Sequence, residues 1–309
     1  MSYPIAEPVE QVHRPRGVLR VRPRSRGHYT QHCNLVYAEA DGVGLVMDVF
    51  QPAGPANGLA IVDVIAGAWH SDRPRLNEHI GLGAIDAFCD AGFTVFAVAP
   101  GSASLFTAAR MTEHVHAATR HIKENAATWG IAPDRIGLCG VSAGGHLAAL
   151  AALAPQPSDA KARRLWYRHD TAVAAVGLFF PPTDFLDFGG RPFDFTRPSE
   201  LSIARMLFEN GLTGHSKAEI RDAARAISPL HQVQGDHPPF LLAHATGDAI
   251  VPYSQSERFV RALLAAGVDA TLDTHEGDGH PWPGVAATAA RMASWFANRL
   301  DPAWPDSGT

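Results

Sequence analysis

Cysteine is scarce in this chain, with Cys33, Cys89 and Cys139 the three present in 309 residues. An odd number without metal-site spacing implies neither a disulfide framework nor a thiolate zinc site, and it fits a reducing compartment. Charge is modest too: 18% of residues are charged, for a formal net charge of −5, which gives no reason to expect nucleic acid or an anionic membrane as partner. No uninterrupted apolar stretch reaches the roughly 18–20 residues of a membrane span. The segment Met1–Gly17 has no apolar core and no small-residue cleavage site, so the chain is expected to be soluble and cytoplasmic. No phosphate loop and no dinucleotide glycine fingerprint is present, and no cofactor is expected. Among the 16 histidines, His114, His116 and His121 fall on one helical stretch. Positions 114 and 121 share a face while 116 does not, and no acidic ligand completes a set, so no metal site is expected.

What is abundant is apolar: 46% of residues are hydrophobic, enough to bury a large core in one α/β domain. Residues 1–32, rich in Pro and Arg, are expected to form an extended arm, with an edge strand at Val18–Val21, lying on an acidic body. Residues 33–309 then form the domain. Strands are expected at Asn34–Glu39, Leu45–Phe50, Ala60–Ile65, Thr94–Val98, Arg135–Cys139, Ala172–Phe180, Phe240–Thr246 and Ala270–His275. Helical patterns lie at Gly83–Ala91, Thr107–Gly130 and Ser254–Ala266. Such alternation means a mostly parallel sheet covered by helices on both faces. One segment breaks it, an insertion over about 183–237, with helical portions at Glu200–Asn210 and Lys217–Ile227. Excursions of this length at the carboxyl edge of a sheet commonly form a lid or pocket wall. Its Phe185 and Phe188 are candidates to line the substrate site, although each would equally serve to pack the insertion onto the body.

The chain is organised around Arg135–Ala154, RIGLCGVSAGGHLAALAALA: a short strand, a turn of small residues, and an Ala/Leu-rich helix ending before Pro155. Gly140-Val141-Ser142-Ala143-Gly144 in the turn matches G-x-S-x-G. A serine on so sharp a strand-to-helix turn needs small neighbours, and the strained turn lifts its hydroxyl clear of the sheet beside the helix N-terminus. Ser142 is therefore the candidate nucleophile.

With Gly145 and His146 the motif becomes G-x-S-A-G-G-H, and the chain resembles the α/β-hydrolases, specifically the bacterial esterase/lipase (carboxylesterase-like) group, over roughly Tyr37–Leu300. The resemblance implies an α/β-hydrolase fold with a mostly parallel, eight-stranded-type sheet. It also implies a chain order of Ser, acid, His for the triad. Asp248-Ala249-Ile250-Val251-Pro252 is similar to the family's D-x-x-V-P acid loop, which selects Asp248. Gly279-His280 matches the position of the base, which selects His280. The nearby acids Asp273 and Asp278 compete with Asp248, and Asp278 lies too close in sequence to His280 to face its ring easily.

The family's oxyanion loop reads H-G-G-G-W, where this chain has Ile65-Ala66-Gly67-Ala68-Trp69. Backbone donors are expected from Ala143, Gly67 and Ala68, with Trp69 and His70 as substrate contacts. The family's D-Y-R is also replaced, by Ala99-Pro100-Gly101, which marks a divergent member. What the resemblance implies is a serine hydrolase of a small-molecule carboxylic ester. A lactone (including a macrolide), amide or aryl-formamide hydrolase with the same triad remains an alternative, and a non-catalytic ligand-binding protein on this fold a further one. Oligomeric state is not legible in the sequence.

Overall fold

The computed structural model describes residues 24–196 and 203–301. The expected edge strand at Val18–Val21 and the start of the helical reading at Glu200 lie outside them.

The chain opens on strands β1 (Arg24–Arg26), β2 (Tyr29–Ala40) and β3 (Val43–Pro52), followed by β4 (Ala60–Val64). Helices α1 (Arg73–Gly81) and α2 (Ala84–Asp90) lead to β5 (Thr94–Val98), and α3 (Ala108–Glu124) and α4 (Ala126–Trp129) to β6 (Ile136–Val141). Next come α5 (Ala143–Leu153) and β7 (Ala175–Phe179), then α6 (Lys217–Ala226) within the insertion. Strand β8 (Phe240–Gly247), α7 (Ser254–Ala265), β9 (Ala270–Asp278) and α8 (Val285–Leu300) complete the order.

All nine strands join one sheet in the order β1-β2-β3-β5-β4-β6-β7-β8-β9. The pairings from β1 through β3 to β5 are antiparallel, and every pairing from β4 onward is parallel. Strands β4 to β7 are buried along their whole length, as near-continuous apolar runs such as TVFAV and AVGLF require when helices cover both faces. One core lies under α3, α5 and α7, with Val115, Ala118, Leu147 and Phe259 fully buried. The other lies under α2 and α8, where Phe88 meets Phe296 edge to face at 5.9 Å. Among the described residues no helix is long and apolar enough to cross a membrane.

Several boundaries differ from the sequence reading. The sheet begins at Arg24 rather than near Asn34, and Tyr29, expected in the arm, is buried with its ring 4.8 Å from that of Phe50. The eight expected strands are all present, and β1 adds a ninth at the antiparallel edge. Helix α1 has no counterpart among the sequence expectations because RPRLNEHIG is polar and buries little beyond Leu76 and His79; Asp72 caps it, accepting from Arg75 N–H. The single helix expected over Thr107–Gly130 breaks at Asn125, whose side-chain amide donates to His121 O at 2.8 Å. In the insertion, α6 carries a Ser216–Glu219 capping box. The helix expected over Glu200–Asn210 is, among the described residues, one 3-10 turn at Ala204–Met206. Tertiary contacts override local propensity there, since Met206 is fully buried and Phe208 stacks on His215 at 3.6 Å.

The parallel strands all end on the same edge of the sheet. Ser142 follows β6, the Gly67–Trp69 loop follows β4, Asp248 follows β8 and His280 follows β9. Four loops are thereby gathered at the carboxyl edge, where open α/β sheets bind ligands.

Candidate active site

Ser142 sits at φ 52°, ψ −119°, outside the comfortable regions for an L-residue. The glycine two residues on makes that turn possible. A Cβ on Gly144 would lie 2.1 Å from Val64 O, and the Gly144 N–H donates to Ala66 O at 2.9 Å. The first turn of α5 thus presses against the end of β4, holding the serine and the Gly67–Trp69 loop in one register.

His280 Nε2 is 3.0 Å from Ser142 Oγ, and His280 Nδ1 is 2.6 Å from Asp248 Oδ2. A carboxylate only accepts, so Nδ1 carries the proton and Nε2 is free to accept one from the serine. The Phe180 ring packs on the imidazole, centroids 4.3 Å apart. Asp248 is itself held on three sides. Its Oδ1 accepts from the N–H groups of Ile250 and Val251 at 2.8 and 3.0 Å, and His244 Nε2 lies 3.3 Å from Oδ2. Burial alone would push this carboxyl up; hydrogen bonds from His244, His280 and Val251 outweigh it and hold the group well below the usual carboxylate range.

The rival acids are engaged elsewhere. Asp273 pairs with Arg291 at 2.6 Å, and the exposed Asp278 ends β9 against Gly247. His244, which the sequence reading gave no role, is a further contact of the Asp248 carboxylate. Its one signal is its place four residues before Asp248, and it is fully buried, fixed by Val251 O at 3.0 Å and Ser256 Oγ at 2.7 Å.

The site opens into a cavity of about 1190 Å³. Ala68, Trp69, Ala143, Phe188 and His280 line it, together with a polar face of α1 that the sequence reading passed over.

The family model of BD-FAE matches residues 47–263, about two thirds of the chain, from β3 to within α7. The chain belongs to the BD-FAE family. Among curated proteins it is similar to Esterase LipQ of Mycobacterium tuberculosis, with 31% identity over 175 residues, 56% of this chain and 39% of LipQ. It therefore spans less than half of that relative's length. Among solved structures it resembles a truncated carbohydrate esterase from gut microbiota, at TM-score 0.74 and 24% identity, covering 90% of this chain and 99% of that one. A thermophilic esterase from Thermogutta terrifontis aligns at TM-score 0.67 and 24% identity, covering 89% and 94%. With this architecture, the BD-FAE chain has the α/β-hydrolase fold, as its nucleophile motif led one to expect.

Three of the expected contacts change. The Gly67 N–H donates to His70 O at 3.0 Å, so it closes a tight turn instead of facing the serine. Ala68 is the exposed residue of that loop, at φ 46°, and Trp69 comes next at φ 58°. His70 folds back, its Nδ1 donating to Ala68 O at 2.8 Å, and it does not line the cavity; it braces the loop. Phe185 is 1% exposed and packs beneath the insertion against Phe193, Phe195 and His146, away from the cavity lining. Phe188 and Trp69 do line the cavity, Trp69 from a buried position. Two of the three histidines considered as metal ligands are tied to separate carbonyls, His114 to Pro100 O at 2.7 Å and His116 to Ala151 O at 3.0 Å.

Proposed function

We propose that this chain is a serine hydrolase of carboxylic esters, working through an acyl-enzyme on Ser142. The observation that carries the reading is the unbroken hydrogen-bonded line Ser142–His280–Asp248, opening at the serine onto a large, mostly apolar cavity. The esterase names of the relatives support the same class of bond.

In this reading Ser142 Oγ attacks the acyl carbon as its proton passes to His280 Nε2. Asp248, ionised throughout, fixes the tautomer and stabilises the imidazolium that forms. The oxyanion takes the Ala143 N–H, one of the first helical N–H groups with no intrahelical acceptor, and the Ala68 N–H from the exposed loop. As the tetrahedral species collapses, the alcohol departs with the proton from His280. Water then repeats the sequence and frees the acid, with His280 again as base. Trp69 and Phe188 supply apolar wall, and the insertion over about 183–237 serves as the lid on that side.

Turnover of short aryl esters, combined with labelling by a fluorophosphonate, tests this. One label at Ser142, lost with turnover in Ser142→Ala, is the expected result. Ester hydrolysis that survives Ser142→Ala would dismiss it.

A further inference from the structure

Helix α1 presents Arg75, Glu78 and His79 to the cavity, spaced i, i+3, i+4 on one face, and its C-cap Leu82 follows at i+7. This wall abuts the Gly67–Trp69 loop: a Cβ on Gly67 would lie 2.5 Å from Arg75 Cδ, so glycine there lets the arginine side chain pack directly on the loop. Behind it, His79 Nδ1 lies 2.8 Å from Asp63 Oδ2 of β4, with the two residues 3% and 1% exposed. The carboxylate accepts, so Nδ1 carries the proton, and in the tautomer this selects Nε2 is the acceptor. Nε2 has no protein partner among the described residues.

Nor do its neighbours. Among the described residues, buried side-chain polar atoms without a partner are Asp63 Oδ1, Arg75 Nε and His114 Nε2; Arg75 belongs to this wall, and Asp63 lies behind it without lining the cavity. Buried polar groups are rarely left so, and an arginine Nε without a partner beside the unpartnered Nε2 of His79 points to a ligand group that completes the bonding. Charge narrows the ligand. Arg75 is paired with Glu78 at 2.6 Å and His79 with Asp63, so one guanidinium faces two carboxylates. An anionic group is disfavoured there. A neutral group that both donates and accepts fits an acceptor and a donor one helical turn apart.

We propose that His79, Arg75 and Asp63 form a subsite for a hydroxyl group that the ester substrate carries near its carbonyl. The hydroxyl donates to His79 Nε2 and accepts from Arg75 Nε–H; Asp63 is a positioning residue that fixes the ring tautomer. The inference rests on the ester hydrolase reading above.

The test uses ester pairs that differ only in the donor hydrogen. On the alcohol side these are 2-hydroxyethyl and 2-methoxyethyl acetate; on the acyl side, ethyl 3-hydroxybutyrate and ethyl 3-methoxybutyrate. The wild type should prefer the hydroxyl member of one pair by tenfold or more in kcat/KM, since a site built to hydrogen-bond a hydroxyl rejects its analogue strongly. Which pair responds tells whether the hydroxyl belongs to the alcohol or the acyl group. The double variant Asp63→Leu with His79→Phe leaves no buried charge unpaired and should bring that ratio to within about twofold of one. Arg75→Met should raise KM for both members alike, because ether and hydroxyl oxygens both accept, and should preserve the ratio. Wild-type ratios near one in both pairs, or a preference that survives in the double variant, would overturn the subsite while ester turnover stands. If the double variant does not fold, the wild-type ratios and Arg75→Met decide. No turnover of any ester would overturn the hydrolase reading and the subsite with it.

Discussion

The Trp69 indole Nε1–H donates to His146 Nδ1 at 2.9 Å, tying the residue after Ala68 to the helix that begins at the nucleophile. His146 Nε2 in turn donates to Ile227 O at 2.7 Å, at the end of α6 in the insertion. One neutral imidazole therefore holds the Gly67–Trp69 loop, α5 and the insertion together. The ring is fully buried, and burial pushes its pKa down to about 4 from 6.5, against the pull of the Ile227 carbonyl. Between those two pH values the unfolded chain binds a proton that the folded chain refuses, so stability is full above about 6.5 and falls toward pH 4. A shift of this size corresponds to about 3 kcal/mol at most. Urea unfolding of wild type and His146→Asn across pH 4–7 should give a steeper loss for wild type. Parallel profiles would mean that His146 does not supply this dependence.

Ser142→Ala should abolish fluorophosphonate labelling and reduce ester turnover on the order of a millionfold, as loss of a triad serine does. Its melting temperature should not fall, since a small side chain at φ 52° gives up no packing. Active-site titration, single-turnover kinetics and a thermal melt check these statements.

Asp248→Asn should cost on the order of 10³–10⁴ in kcat, because the amide no longer fixes the His280 tautomer. Asp278→Asn and Asp273→Asn should stay near wild-type rates, given that neither contacts His280. Because the Asp248 carboxyl is held so low, it stays ionised wherever the protein is folded, and it should add no second acid limb to the rate profile. A dead Asp278→Asn beside an active Asp248→Asn would reassign the acid.

The parallel core was legible because strands buried on both faces must be apolar throughout, and runs such as Thr94–Val98 carry that signature without periodicity. Ser142 was legible because the elbow is a steric rule, written in the small residues that surround it. Helix α1 was not, since only two of its residues are buried and the rest are partly or fully exposed. The cluster of Arg75, His79 and Asp63 exists only after β4 and α1 meet. The loop after β4 was half legible: Gly67 marked the turn, but which N–H faces outward depends on the bonds between Gly67 and His70. Four phenylalanines between 185 and 195 sit in irregular chain, where neither a 3.6- nor a 2-residue period assigns faces.

That ambiguity gives the last prediction. Phe185 lies under the insertion with its ring 5.0 Å from that of His146, whereas Phe188 is partly exposed on the cavity wall 5.0 Å from Phe193. Phe185→Ala removes a fully buried aromatic and should cost about 3–5 kcal/mol of stability, lowering turnover of all esters in proportion. Phe188→Ala leaves the core intact and should instead change the ranking of acyl or alcohol groups by about 1–3 kcal/mol in kcat/KM. Trp69→Ala should do both, since its ring lines the cavity while its N–H holds His146. Thermal melts and a panel of short, long and aryl esters separate the three. A Phe188→Ala enzyme that loses stability and keeps its substrate ranking would place Phe188 in the packing of the insertion and leave the opposite wall of α1, with Trp69, as the determinant of specificity.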